Sequence, residues 1–150
     1  MSLEQEFELI RRVPIFSTTD PAMQKLLAFS SDRLTYEEGQ LMFNAGDPPD
    51  SAYIVMEGEV DITVPTAKGP LLVNTLTRND VIGEIGIFGD VPRTATAAAR
   101  TRVEVLRISR DVFVNVIRSN PDAAIALVRI LADRLAKTTA QLRRMASETR

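Results

Sequence analysis

The chain has 150 residues, 45% of them hydrophobic and 25% charged, the balance of a single globular domain with its own core. It contains no histidine and no cysteine, which removes zinc sites, thiol nucleophiles, histidine general bases and disulfides together and makes a non-enzymatic role the expectation. The net charge of −2 argues against a broad nucleic-acid surface, and without a signal peptide or long apolar run the chain is expected to be cytoplasmic, with no membrane span.

N-terminal helices are expected within residues 1–30. "LEQEFELIRRV" spaces Leu3, Phe7 and Ile10 by four and three, along one helical face. In "STTDPAMQKLLAF", Asp20 is placed to cap a second helix and Pro21 to open it, with Met23, Leu26, Leu27 and Phe29 as its buried side. From 33 to 108 the hydrophobic period changes to two. Val60, Ile62 and Val64 alternate with polar neighbours in "EVDITV", and Gly39, Gly46–Asp47, Gly58 and "TAKGP" break the zone into short pieces. "LLVNTL", "TATAAAR" and "VEVLRI" complete the set, and many short strands between close turns predict a sandwich, barrel or roll.

Helix returns over 109–147. Ser109 is the expected cap, Val112, Phe113, Val116 and Ile117 the buried stripe, and Asn120–Pro121 a second start signal. Along the last helix Ala124, Val128, Leu131, Leu135, Thr138, Leu142 and Met145 alternate steps of four and three, an a/d seam of three heptads. Such a seam either packs on the β zone or joins two copies as a homodimer, and its length favours the second.

The segment least like an ordinary strand or helix is "GEIGIFGDVPRTATAAA", Gly83 to Ala99. Gly83 and Gly86 permit close backbone approach, and amides between them can converge on an anion. Gly89 and Pro92 mark turns around a short loop or a single helical turn. Arg93 enters the sheet among small residues, which is costly for an unpartnered guanidinium, and a phosphate offers two oxygens to its fork. Glu84 accepts hydrogen bonds of the kind that sugar hydroxyls donate. Nine positions apart, the two are placed either to hold opposite ends of a ribose phosphate or to pair with each other without a ligand. The residue chemistry leaves both open.

This segment resembles the phosphate-binding cassette of the cyclic nucleotide-binding domain family, G-E-hydrophobic-small-hydrophobic, a short loop, then P-R-small-A. "YEEGQLMFNAGDPPDSAYIVMEGEVDIT" is similar to the family's opening strands, and the likeness covers almost the whole chain. The resemblance implies a mainly β fold with flanking α: N-terminal helices in 1–30, an eight-stranded β-roll over 33–108 carrying the cassette at 83–95, and two C-terminal helices over 109–147. It implies that Glu84 accepts from the ribose 2′-hydroxyl and that Arg93 binds the exocyclic phosphate oxygens. Gly83, Ile85 and Gly86 supply the cassette backbone, Thr94 and the Ala95 amide add phosphate contacts, and Val73 and Asn74 lie near the base.

"ADRLAKTTAQL" is similar to the last helix of the family's catabolite-activator branch. That likeness places Thr138 and Thr139 to reach the adenine amino group from the dimer seam, with Arg134 one turn earlier leaning towards Glu84. Cyclic AMP is the ligand so favoured; Thr94, where members preferring cyclic GMP often carry threonine, makes cyclic GMP the alternative. No helix-turn-helix follows before Arg150, so direct DNA binding is not expected. The expected role is a stand-alone cyclic nucleotide sensor that signals to an effector protein by rearranging its last helix, with no cofactor or metal. A ligand-free scaffold and a fragment of a longer transcription regulator or channel are the other readings.

Overall fold

A computed structural model describes residues 2–148. Helix α1 (Leu3–Arg12) opens on a capping box in which Ser2 Oγ accepts from the Gln5 N–H and Gln5 Oε1 accepts from the Ser2 N–H at 2.8 Å. Helix α2 (Pro21–Ser30) starts as its sequence requires, with Asp20 Oδ1 accepting from the Ala22 N–H at 3.0 Å. Their buried faces match the expected ones in part: Ile10 and Leu27 are buried and Phe7 and Met23 pack against the core, but other positions differ. In α2 the buried residues are Gln24, Leu27 and Ala28, while Leu26 is exposed and Phe29 is 78% exposed. In α1, Leu9 and Ile10 are buried and Leu3 is exposed. The cause is the non-helical connection, whose Val13, Ile15 and Phe16 are fully buried. Gln24 Nε2 donates to the Phe16 carbonyl at 2.9 Å, which turns the Gln24 face of α2 inward.

Eight strands follow: β1 (Asp32–Tyr36), β2 (Leu41–Phe43), β3 (Ser51–Glu57), β4 (Val60–Thr66), β5 (Gly69–Leu76), β6 (Val81–Ile82), β7 (Thr96–Ala99) and β8 (Val103–Ser109). They form two antiparallel four-stranded sheets, ordered β1-β8-β3-β6 and β2-β7-β4-β5. This is the expected roll. Strands β3 and β8 are covered on both faces. Ala52, Ile54, Leu106 and Ile108 pack against the helices, with Phe16, Leu27 and Phe113. Tyr53, Val55, Val103 and Val105 face the second sheet, with Val60, Leu76, Ala97 and Ala99. Burial of both faces explains why "SAYIVM" reads as a nearly continuous apolar run.

Between β6 and β7 the chain makes a short helix, α3 (Glu84–Gly89). After β8, Ser109 caps α4 (Arg110–Ser119), which buries Phe113, Val116 and Ile117. Asn120 does not cap the next helix with its side chain. Its Nδ2 donates back to the Val116 carbonyl at 2.8 Å, so it closes α4 instead. Helix α5 spans Pro121–Glu148 and buries Ala123 and Leu127, with Ala124, Ile130 and Leu131 packed against the core. Val128, Leu135 and Met145 of the seam are exposed, so packing on the β zone does not account for them, whereas Leu142, also exposed, lies beside the β4–β5 hairpin.

Candidate functional site

A cavity of about 390 Å³ lies between the β4–β5 hairpin, the start of α3 and α5, within the size range of small-molecule sites. Gly83 makes the turn into α3 at φ +94°, and a Cβ there would collide with Arg93 Nη1. A Cβ at Gly86 would meet the Pro49 Cβ at 2.9 Å, so this glycine too answers to close approach.

Glu84, the first residue of α3, is 2% exposed. Its Oε1 accepts from Arg134 Nη1 on α5, and Arg134 Nη2 donates to the Val81 carbonyl at 2.8 Å. Burial holds the Glu84 carboxyl above its ordinary value; Arg134, and less strongly Arg93, pull it the other way. The acid therefore pairs with Arg134 rather than Arg93, which closes the ion-pair alternative posed by the sequence.

Arg93 is 4% exposed. Its Nη1 donates to the Gly83 carbonyl at 2.8 Å and its Nη2 to the Ser51 carbonyl at 2.6 Å. The Asp50 carboxylate stands 3.7 Å from Nη2 and is largely exposed. The guanidinium carbon lies 4.2 Å from the centroid of the Phe43 ring. Burial lowers the pKa of the guanidinium from its ordinary value. Two buried atoms find no hydrogen-bond partner among the described residues here, Glu84 Oε2 and Arg93 Nε. One is an acceptor and the other a donor, the complements of a hydroxyl and an anionic oxygen.

The structure brings Val73, Asn74, Gly83, Glu84, Gly86, Arg93, Thr94, Ala95, Arg134 and Thr138 to this cavity. The backbone of Ile85 belongs to α3, and its side chain lies outside the described residues. Asn74 Oδ1 accepts from the Thr75 N–H at 2.9 Å. The Thr138 hydroxyl donates to the Arg134 carbonyl at 3.0 Å, and that of exposed Thr139 to the Leu135 carbonyl at 2.9 Å. Sequence reasoning missed most of the apolar wall, which includes Phe43, Ile62, Val64 and Leu71. The alternation of "EVDITV" already put Ile62 and Val64 on one face. Phe43 carried no such signal.

A two-sheet roll that brings a buried acid, a buried arginine and two close-approach glycines to one cavity is a small-ligand-binding domain. The family described as "Cyclic nucleotide-binding domain" matches residues 33–120, and the chain belongs to it. It is similar to the CRP-like cAMP-activated global transcriptional regulator of Mycobacterium tuberculosis, 31% identical over 137 residues, which are 90% of this chain and 61% of that protein. It is also similar to the cAMP-dependent protein kinase regulatory subunit of Aspergillus niger, 33% identical over 104 residues, 69% of this chain and 25% of the subunit. Among solved structures, the Thermus thermophilus catabolite activator protein matches with a TM-score of 0.74 at 26% identity, over 89% of this chain and 63% of that one. The chain thus spans less than two thirds of these relatives' length. No helix among the described residues is long and apolar enough to cross a membrane.

Proposed function

We propose that this domain is a non-enzymatic cyclic AMP sensor of the cytoplasm, acting as a module in its own right and passing ligand occupancy to an effector protein through α5. The observation that carries this reading is the pair of unsatisfied buried atoms, Glu84 Oε2 and Arg93 Nε, beside one cavity. Glu84 Oε2 accepts from the ribose 2′-hydroxyl, and Arg93 Nε donates to a phosphate oxygen. Charged hydrogen bonds of this kind contribute about 1.5–3 kcal/mol each, a substantial share of the roughly 8 kcal/mol that micromolar affinity needs. Likeness to a cAMP-activated regulator and to a cAMP-dependent kinase subunit supports adenine, as does Thr138 at the cavity wall. Thr94, also at the wall, is what favours cyclic GMP as the second reading.

Helix α5 carries the response. It touches the cassette through Arg134 and β5 through Gln141, whose Nε2 donates to the Leu72 carbonyl at 3.2 Å. A ligand held by Glu84 and Thr138 binds better when α5 lies over the cavity, and that difference in affinity shifts the population towards the closed state. Val128, Leu135 and Leu142, exposed along α5, form the seam of a homodimer in this scheme.

Isothermal titration with cyclic AMP, cyclic GMP and 5′-AMP tests the reading. Cyclic AMP is expected to bind at micromolar Kd, ahead of the other two, and Arg93→Leu to weaken it by about 10- to 100-fold. Binding of neither cyclic nucleotide below about 1 mM, equivalent to about 4 kcal/mol, overturns it.

A further inference from the structure

Strand β2 is irregular where it meets the cavity. Leu41 pairs with Ala98 and Phe43 with Ala97, so two steps on β2 oppose one on β7, a bulge. In a regular strand Leu41 and Phe43 share a face, with Met42 on the other. Here Leu41 is exposed, yet both Met42 and Phe43 pack into the interior of the roll. The bulge turns Phe43 inward, to the cavity wall and beneath Arg93.

The Arg93 guanidinium is fastened along one edge, by Nη1 to the Gly83 carbonyl and Nη2 to the Ser51 carbonyl. Two such bonds define a line about which the plane still tilts. The Phe43 ring, 4.2 Å from the guanidinium carbon, blocks that tilt on one side and attracts the cation through its π face. The ring is itself braced by Tyr53, with centroids 6.0 Å apart and planes at 25°. Nε lies off the line of the two Nη bonds, so the tilt decides where this buried, unpartnered donor points.

We infer that Phe43 is a positioning residue for the phosphate end of the cavity: its ring sets the plane of the Arg93 guanidinium and thereby aims Nε at the bound anion. The inference rests on the cyclic nucleotide reading of the same cavity. It separates Phe43 from its neighbours Ile62 and Val64, which line the wall but offer no π face.

The test compares wild type, Phe43→Met, which keeps apolar bulk without a ring, and Phe43→Tyr, which keeps the ring. Each is titrated calorimetrically with cyclic AMP and with adenosine, which has the base and ribose but no phosphate. Phe43→Met is expected to weaken cyclic AMP about tenfold, within roughly 3- to 30-fold, and to leave adenosine within about twofold of wild type. Phe43→Tyr is expected to stay within about threefold of wild type for both. Thermal unfolding checks that the variants fold, and Phe43→Leu replaces the methionine variant if that one does not. Unchanged cyclic AMP affinity in the variant without a ring, or equal losses for cyclic AMP and adenosine, refutes the positioning role while leaving the sensor reading intact. A wild type that binds no cyclic nucleotide overturns the sensor reading and this inference with it.

Discussion

Replacing Arg134 with alanine strips the cation from a carboxyl buried at the start of α3. The Arg134 side chain is 20% exposed and that of Glu84 2%. Removing one partner of a fully buried pair costs about 3–5 kcal/mol, but here solvent reaches part of the arginine and Glu84 can escape by taking up a proton. That escape sets a ceiling. Between the ordinary carboxylate value of 4.5 and pH 7, one proton is worth about 1.36 kcal/mol per pH unit, so the pH-dependent loss stays below about 3.4 kcal/mol. Losing the bond from Arg134 to the Val81 carbonyl adds about 1 kcal/mol at every pH.

The sign follows from the direction of the Glu84 shift. Its folded value is raised by burial, so its contribution to stability is complete below 4.5 and is lost as pH rises through the folded value. Arg134 opposes that rise, and Arg134→Ala extends it. The variant is therefore expected to fall short of wild type by about 1 kcal/mol at pH 4.5 and by about 2–4 kcal/mol at pH 7. For a chain of this length that is a Tm deficit of roughly 3 °C growing to roughly 10 °C, read by circular dichroism. Adding Glu84→Gln to both backgrounds should remove the growth. A deficit equal at the two pH values, or one that shrinks as pH rises, refutes the pairing argument.

Two further outcomes test the glycine turn and the exposed helix face. Gly83→Ala should lose about 2–3 kcal/mol in urea unfolding, whereas Gly39→Ala, with φ +87° but nothing within 4 Å of its Cβ, should lose only the backbone part, about 1–2 kcal/mol. Equal losses would show that the Gly83 Cβ does not displace Arg93. Leu135, 68% exposed, should tolerate glutamate within about 0.5 kcal/mol in the monomer, yet Leu135→Glu should convert a dimer to a monomer by light scattering. A variant that stays dimeric places the seam elsewhere.

Much of this architecture is legible in local patterns, because local patterns answer to local physics. The period-two runs, the turn glycines and the Asp20 and Ser109 caps depend on neighbours within a few residues, and they define the roll and its flanking helices. Gly83, Gly86 and Arg93 stand out for a similar reason: each is a poor choice for a plain strand or helix. The face a helix buries is another matter. Leu26 and Phe29 have the spacing of core residues, but Gln24 binds the Phe16 carbonyl and turns them outward. Arg134 lies 50 residues from Glu84, so only the family resemblance, and no local spacing, pointed to their meeting, which happens because α5 folds back over the cavity. Tertiary structure placed Phe43 beneath Arg93 through a bulge defined against β7, a pairing that no spacing within "LMF" records. Residue type and short-range spacing determined what kinds of group this protein carries and where its elements begin. Which of those groups meet was decided by long-range packing, because contact between distant segments depends on strand register and helix rotation that local sequence leaves free.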